Sequence, residues 1–462
     1  MHAALADARP GVLWLEDPAR PEPLPPLRGS TAAELVVVGG GYTGLWTALR
    51  AKEREPSLDV VLLEAGRCGD QASGRNGGFA SASLTHGFPN GQDRWPDELP
   101  ELDRLGAQNL AAIGETVRRY DIDCGWEETG ELAVATAPHH VEELGELAAA
   151  MQAAGHDVRL LDGPAVRAMV HSASYLGALH DPHGTAMVEP ARLAWGLREA
   201  CLSLGVRIHE HTPVGSLART GSAMEVATPS GSVNAQRVVL ATNAFPPLLR
   251  RLRLMTVPVY DYVLATEPLS PGQLESVGWS GRQGIGDSAN LFHYYRLTGD
   301  DRIVWGGYDA VYHYGSRIRR DLEQRDVTHT LLAEHFFETF PQLSGLRFTH
   351  RWGGVIDTCT RFAAFYGTAY DGRVAYALGY TGLGVAATRF AADVVLDLLG
   401  GAETERTRLR MVRETPLPFP PEPFRYAGIG LTRWSLARSD DRGGRRNLWL
   451  RTLDRAGLGF DS

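Results

Sequence analysis
Short, unbroken apolar runs alternate with helix-period stretches early in the chain, and longer alternating runs dominate its second half. Residues 34–38 (ELVVV) carry the apolar, β-branched pattern of a strand buried on both faces of a parallel sheet. Leu45, Ala48 and Leu49 fall at helical spacing and predict a helix over 42–54, with Pro56 just beyond it. A second buried strand follows over 59–63 and runs into Glu64. Helices are then predicted over 99–120, 141–154 and 190–204, and strands over 131–135, 176–180, 206–209, 214–217 and 223–228. Residues 237–241 (RVVLA) return to the parallel-sheet pattern. Residues 256–266 (TVPVYDYVLAT) alternate strongly and predict a long strand, with further strands over 290–297 and 302–306 joined by a turn at 298–301. The stretch 257–314 therefore reads as an antiparallel sheet rich in Tyr, Trp, Phe and His. A helix over 327–340, a strand over 374–378 and a helix over 385–399 complete the pattern. Residues 11–30 are too proline-rich for a helix or a central strand and read as an irregular arm. The tail after Gly400 has a proline run and then a basic, amphipathic segment.

Two of the joints carry chemistry. Gly39, Gly41 and Gly44 stand in G-x-G-x-x-G spacing between the first strand and its helix. Gly39 allows the tight turn, Gly41 lets the backbone approach a pyrophosphate, and Gly44 lets helix and sheet pack closely. The helix start, at Tyr42 and Thr43, offers free N–H groups and the positive end of a dipole to an anion. Glu64 lies where a carboxylate accepts hydrogen bonds from a ribose diol, and it disfavours a 2′-phosphate. Next to it stand Ala65 and the small-residue loop CGDQASGRNGG at 68–78, whose backbone can lie flat against a ligand. A second strand–loop–helix joint occurs at Gly379, Tyr380, Thr381, Gly382, Leu383, Gly384 and Val385.

Composition narrows the class. The 462 residues are enough for two intertwined domains, and a net charge of −9 argues against a nucleic-acid footprint. Cys68, Cys124, Cys201 and Cys359 are far apart and form no C-x-x-C pair, which argues against disulfides and zinc and fits a reducing cytoplasm. His139-His140 and His209/His211 read as surface residues whose spacing does not make a metal site, so no metal is expected. The first thirty residues lack the basic and apolar blocks of a signal peptide, and no apolar run reaches membrane-spanning length. Lys52 is the sole lysine. It is expected on the solvent side of the fingerprint helix, which leaves no lysine for catalysis.

These motifs resemble the FAD-dependent amine and amino-acid oxidase superfamily of D-amino-acid oxidase, glycine oxidase and sarcosine oxidase. The likeness rests on VVVGGGYTGLWTAL at 36–49, ASGRNGG at 72–78, YVLATEPL at 262–269 and GYTGLGV at 379–385. With RWGG at 351–354 and LFHYYRLT at 291–298, it is greatest to γ-glutamylputrescine oxidoreductase-like proteins. The resemblance implies an α/β fold, α+β overall. A Rossmann-like FAD-binding domain (31–90, 190–250 and 350–400) would combine with a mixed, largely antiparallel-sheet substrate domain (91–189 and 251–349). Residues 1–30 and 401–462 would be arm and tail. It implies FAD contacts at Gly39, Gly41, Tyr42, Thr43, Gly44, Glu64 and Ala65, at Ser73, Gly74, Arg75, Asn76, Gly77 and Gly78, at Val214 (adenine) and Ala241, and along 379–385. The cysteine that holds flavin covalently in some relatives falls near Gly354 here, so non-covalent FAD is expected and Cys359 reads as a packed thiol. The family's T-P-D-like segment is replaced by TCTRFAAFYG at 358–367.

The implied reaction is hydride transfer to flavin from the neutral nitrogen form of a primary or secondary amine, or of an amino acid, with imine hydrolysis and reoxidation by O2 to H2O2. Its partners would be a small amine and O2, without nucleic acid or membrane, in a monomer or homodimer. An aromatic, dry pocket suits a cation, and Tyr260, His293, Tyr295 and Trp352 are the candidate catalytic residues. Alternation puts Tyr260 with Tyr262 on one face and His293 with Tyr295 on another. A flavin monooxygenase, an NAD(P)H-dependent reductase and a catalytically silent flavoprotein subunit remain as alternatives.

Overall fold
The computed structural model describes residues 2–458; Met1 and residues 459–462, the outer ends of arm and tail, lie outside the described residues. In chain order, the elements that build the site begin with β1 (Gly29–Val38), α1 (Tyr42–Arg54) and β2 (Val60–Leu63). Next come α2 (Leu99–Arg119), β3 (Glu131–Ala135), α3 (Pro138–Ala153), β4 (Gly177–Asp181), α4 (Pro190–Ser203), β5 (Arg207–His209) and β6 (Gly231–Leu240). The second half holds β7 (Val257–Thr266), β8 (Gly284–Asp287), β9 (His293–Leu297), β10 (Ile303–Gly307), α5 (Asp326–Thr339), β11 (Phe348–Thr358), β12 (Phe365–Ala369), β13 (Val374–Leu378) and α6 (Gly384–Gly400). The tail adds α7 (Phe424–Asp440) and α8 (Leu448–Arg455).

Two sheets organise the chain. In the first, β13, β6, β1, β2 and β5 run parallel in that order; its central stretches, 374–378, 238–240, 35–38 and 60–63, are apolar runs that need cover on both faces. Helices α1, α2, α4 and α6 supply one cover, around Leu45, Trp46, Leu110, Leu197 and Phe390. Antiparallel strands, among them β12, extend its edges. The second sheet runs β11-β7-β10-β9-β8-β3-β4 and is mostly antiparallel, with β8 and β3 parallel. Its outer face packs on α5 through Tyr262, Trp305, Phe336 and Phe348.

Several expectations shift. The sequence boundary near residue 350 falls inside β11, which belongs to the second sheet, and α2 packs in the core of the first. The strand expected at 214–217 forms at Ser216–Thr220, which leaves Val214 in a loop. The arm is docked rather than loose. Arg9 and Pro10 pair in parallel with His350 and Arg351 of β11, and buried Trp14 donates from Nε1 to the Asn76 carbonyl at 2.9 Å. Lys52 is not on the solvent side: its stem is buried and Nζ donates to the Pro56 and Leu58 carbonyls, closing the turn after α1. All four cysteines are buried free thiols, and Cys359 Sγ donates to the Ala363 and Gly379 carbonyls.

Candidate functional site
A cavity of about 2190 Å³ is lined by residues from both sheets. Ordinary small-molecule sites occupy roughly 300–1,000 Å³, so it has room for a large cofactor and a substrate together. One end is the dinucleotide fingerprint. Gly39 turns out of β1 with φ +111°, and a Cβ on Gly44 would stand 1.8 Å from the Gly39 carbonyl oxygen. Gly41 is the N-cap of α1 and makes no side-chain cap, while the Tyr42 N–H is met by Ser73 Oγ at 2.9 Å. Glu64 ends β2 with its carboxylate accepting Gly40 N–H at 2.6 Å and Gly66 N–H at 2.7 Å. Burial pushes its carboxyl up, and each oxygen keeps a second acceptor direction for a diol.

Most expected cofactor contacts converge here. Gly39, Gly41, Tyr42, Thr43, Glu64, Ala65, Ser73, Arg75, Asn76, Gly77, Val214, Ala241 and residues 380–385 line the cavity. Gly44, Gly74, Gly78 and Gly379 stand just behind the lining, where a side chain would strike neighbouring atoms. The two strand–loop–helix joints meet across the chain, as Thr43 Oγ1 donates to Tyr380 Oη at 2.8 Å. Helix α6 also starts without a side-chain cap. Two uncapped helix N-termini on one cavity are a donor set suited to pyrophosphate at one place and an electron-rich ring at the other. These residues fit FAD. Asp357 braces the second joint by accepting Gly379 N–H at 2.5 Å, and burial pushes its carboxyl up to about 7.

The catalytic candidates stand elsewhere. Tyr260, His293 and Tyr295 do not line the cavity. Both tyrosines of β7 and both candidates of β9 point to the same side, toward α5, rather than to opposite faces. Their polar atoms are already used. Tyr260 Oη accepts Arg319 N–H, Tyr295 Oη meets Tyr175 Oη at 2.7 Å, and His293 Nδ1 meets Asp287 Oδ2 at 2.6 Å. Trp352 is buried one layer back and donates from Nε1 to the Arg75 carbonyl at 2.9 Å, steadying the ASGRNGG loop. The cavity face of the sheet belongs instead to Val257, Val259, Asp261 and Val263 of β7 and to Tyr294 of β9. A lone carboxylate in an otherwise apolar alternation was the signal that sequence reading passed over.

Other differences concern the far end. Helix α3 begins at Pro138, three residues earlier than the periodicity indicates, and this turns His140 inward. His139, His140 and Glu143 bring ligand-type atoms within 4.8 Å of one another, a grouping that could hold a metal ion and that contradicts the surface reading. His211 is exposed as expected. Half-buried His86 also lines the cavity, with its pKa pushed down to about 4 by desolvation. The tail is part of the wall: Leu417, Phe424, Leu431, Leu436 and Trp449 line it. Asp440 holds the facing loop by accepting from Asn290 N–H, Asn290 Nδ2 and Leu291 N–H. Among the described residues no helix is long and apolar enough to cross a membrane.

Comparison with known proteins agrees with this geometry. Gamma-glutamylputrescine oxidoreductase of Escherichia coli (strain K12) is 34% identical over 388 residues, covering 82% of this chain and 86% of that protein. A probable oxidoreductase, OrdL, of Haemophilus influenzae is 29% identical over 393 residues, covering 82% and 85%. The crystal structure of glycine oxidase from Geobacillus kaustophilus superposes with a TM-score of 0.69 at 20% identity, over 83% of this chain and 99% of that one. The family model described as FAD dependent oxidoreductase matches residues 34–398, and the chain belongs to that family.

Proposed function
We propose that the chain oxidises a primary or secondary amine to an imine, which water hydrolyses, with O2 as the final acceptor and H2O2 as product. Bound FAD would supply the hydride acceptor. One observation favours an amine over an α-amino acid. Four arginines line the cavity, Arg75, Arg425, Arg433 and Arg446, and each is paired, with Glu323, Glu422, Asp309 and Asp454 respectively. A substrate carboxylate would have to break such a pair to gain a bidentate partner. Carboxylates, by contrast, are plentiful on the lining: Asp261, Asp287, Glu131 and Asp181 among them. A cation therefore meets a complementary field there. The related γ-glutamylputrescine oxidoreductase is named for a putrescine derivative, which agrees with this reading, whereas glycine oxidase is named for an α-amino acid. Lys52, locked in the last turn of α1 by its bonds to the following turn, takes no part in oxygen reduction, so that step falls to other groups.

The test is anaerobic. Simple primary and secondary amines should bleach the yellow holoenzyme, α-amino acids should not, and admitting air should restore the colour with peroxide. Bleaching by NAD(P)H without amine would instead establish the reductase alternative, and a reduced flavin stable in air would reject the oxidase.

A further inference from the structure
Asp261 is the one carboxylate on the cavity face of β7, flanked there by Val259 and Val263. It is enclosed, with Tyr294 Oη donating to its Oδ2 at 2.5 Å and the Tyr262 N–H reaching its Oδ1 at 2.9 Å. In the strand register it lies opposite Gly354 of β11. A Cβ at Gly354 would stand 3.7 Å from the Arg75 Cβ, so the carboxylate sits beside the ASGRNGG loop and across from a position with no side chain. Gly306, opposite Tyr294 in β10, likewise yields its space to the tyrosine ring. Asp261 is partly buried on the cavity wall, where an anion without a cationic partner is costly, and proteins keep one where a ligand completes it. The nearby charges do not complete it. Arg75 is tied to Glu323, while Asp309 adds a like charge and is itself held by Arg325 and Arg433.

We infer that Asp261, oriented by Tyr294, binds the nitrogen of the substrate amine and takes its proton; the inference rests on the amine reading above. The ammonium docks by a charge-assisted N–H···O bond to the carboxylate. Enclosure lowers the pKa of an ammonium and raises that of a carboxyl, bringing the two together, and desolvation, working against the hydrogen bonds from Tyr294, Tyr262 and Gly307, pushes Asp261 up to about 6. The N–H bond then breaks, an O–H bond forms on Asp261, and the electron pair stays on nitrogen, leaving the neutral amine that oxidation requires. Tyr294 keeps its proton, since burial and the adjacent carboxylate both raise its pKa.

The experiment uses holoenzyme and tert-butylamine, which has no α-hydrogen and cannot be oxidised, with tert-butyl alcohol as its uncharged counterpart. Binding is read from the perturbed flavin spectrum between about pH 5 and pH 8. The wild type should bind the amine and not the alcohol, with affinity falling as Asp261 protonates near pH 6. Asp261→Asn should keep its flavin, lose about tenfold or more in amine affinity and lose the pH dependence, while Asp261→Glu keeps that dependence. Tyr294→Phe should move the inflection upward, because the hydrogen bond to the carboxylate is gone. Unchanged affinity and pH profile in flavin-loaded Asp261→Asn would overturn the inference, as would a wild type that takes the alcohol as well as the amine or binds neither. The wider amine reading fails separately, if no oxidisable amine bleaches the wild type.

Discussion

At the residue scale the site depends on atoms that have no room to move. Gly44→Ala would push a methyl group into the Gly39 carbonyl and force α1 off β1. We expect purified Gly44→Ala to lose most of its flavin absorbance and about 1–3 kcal/mol of stability, read by the 450-nm band and denaturant unfolding. Asp357 offers a pH test. Its folded pKa, near 7, lies above the unfolded 3.8, so the folded state binds the extra proton between those values. Its contribution to stability is therefore full at pH values below the unfolded pKa and is lost as pH rises through the folded one. Thermal unfolding of Asp357→Asn should show a shallower decline over that window than the wild type. Residue identity alone made the fingerprint legible, since each glycine's role is local. The choice between Tyr260 and Asp261 was not legible, because alternation defines two faces of β7 without saying which one α5 will cover.

At the scale of elements, helix–strand joints do the binding and a helix from outside the matched family region supplies part of the wall. Helix α7 follows residue 398, where the family match ends, yet its Asp440 fixes the loop at 290–291 on the cavity's rim. Asp440→Ala should release that loop and raise KM for the amine by up to roughly tenfold while kcat and flavin content hold, which steady-state kinetics would show. The tail's role was hidden in the sequence because a basic, amphipathic stretch does not say what its apolar side meets. Helix α3 was misjudged for a related reason: Pro138 at its first position starts the helix before any apolar repeat becomes visible.

At the scale of the whole molecule, two sheets and their connections share one cavity, and segments more than three hundred residues apart meet at Thr43 and Tyr380. Such sharing follows from parallel pairing, since β6 joins β1 on one side and β13 on the other. Removing residues 2–12 would test how far the arm supports the whole: flavin content should persist, while soluble yield and resistance to proteolysis fall. The reason lies in the order of synthesis. Arg9 and Pro10 leave the ribosome before the strand edge they cover, at His350 and Arg351, which follows some 340 residues later. That edge closes only when the arm folds back across some 340 residues of chain to reach it. The arm therefore acts as a clasp on that edge, and a chain in which it has not fastened presents an open strand to its neighbours.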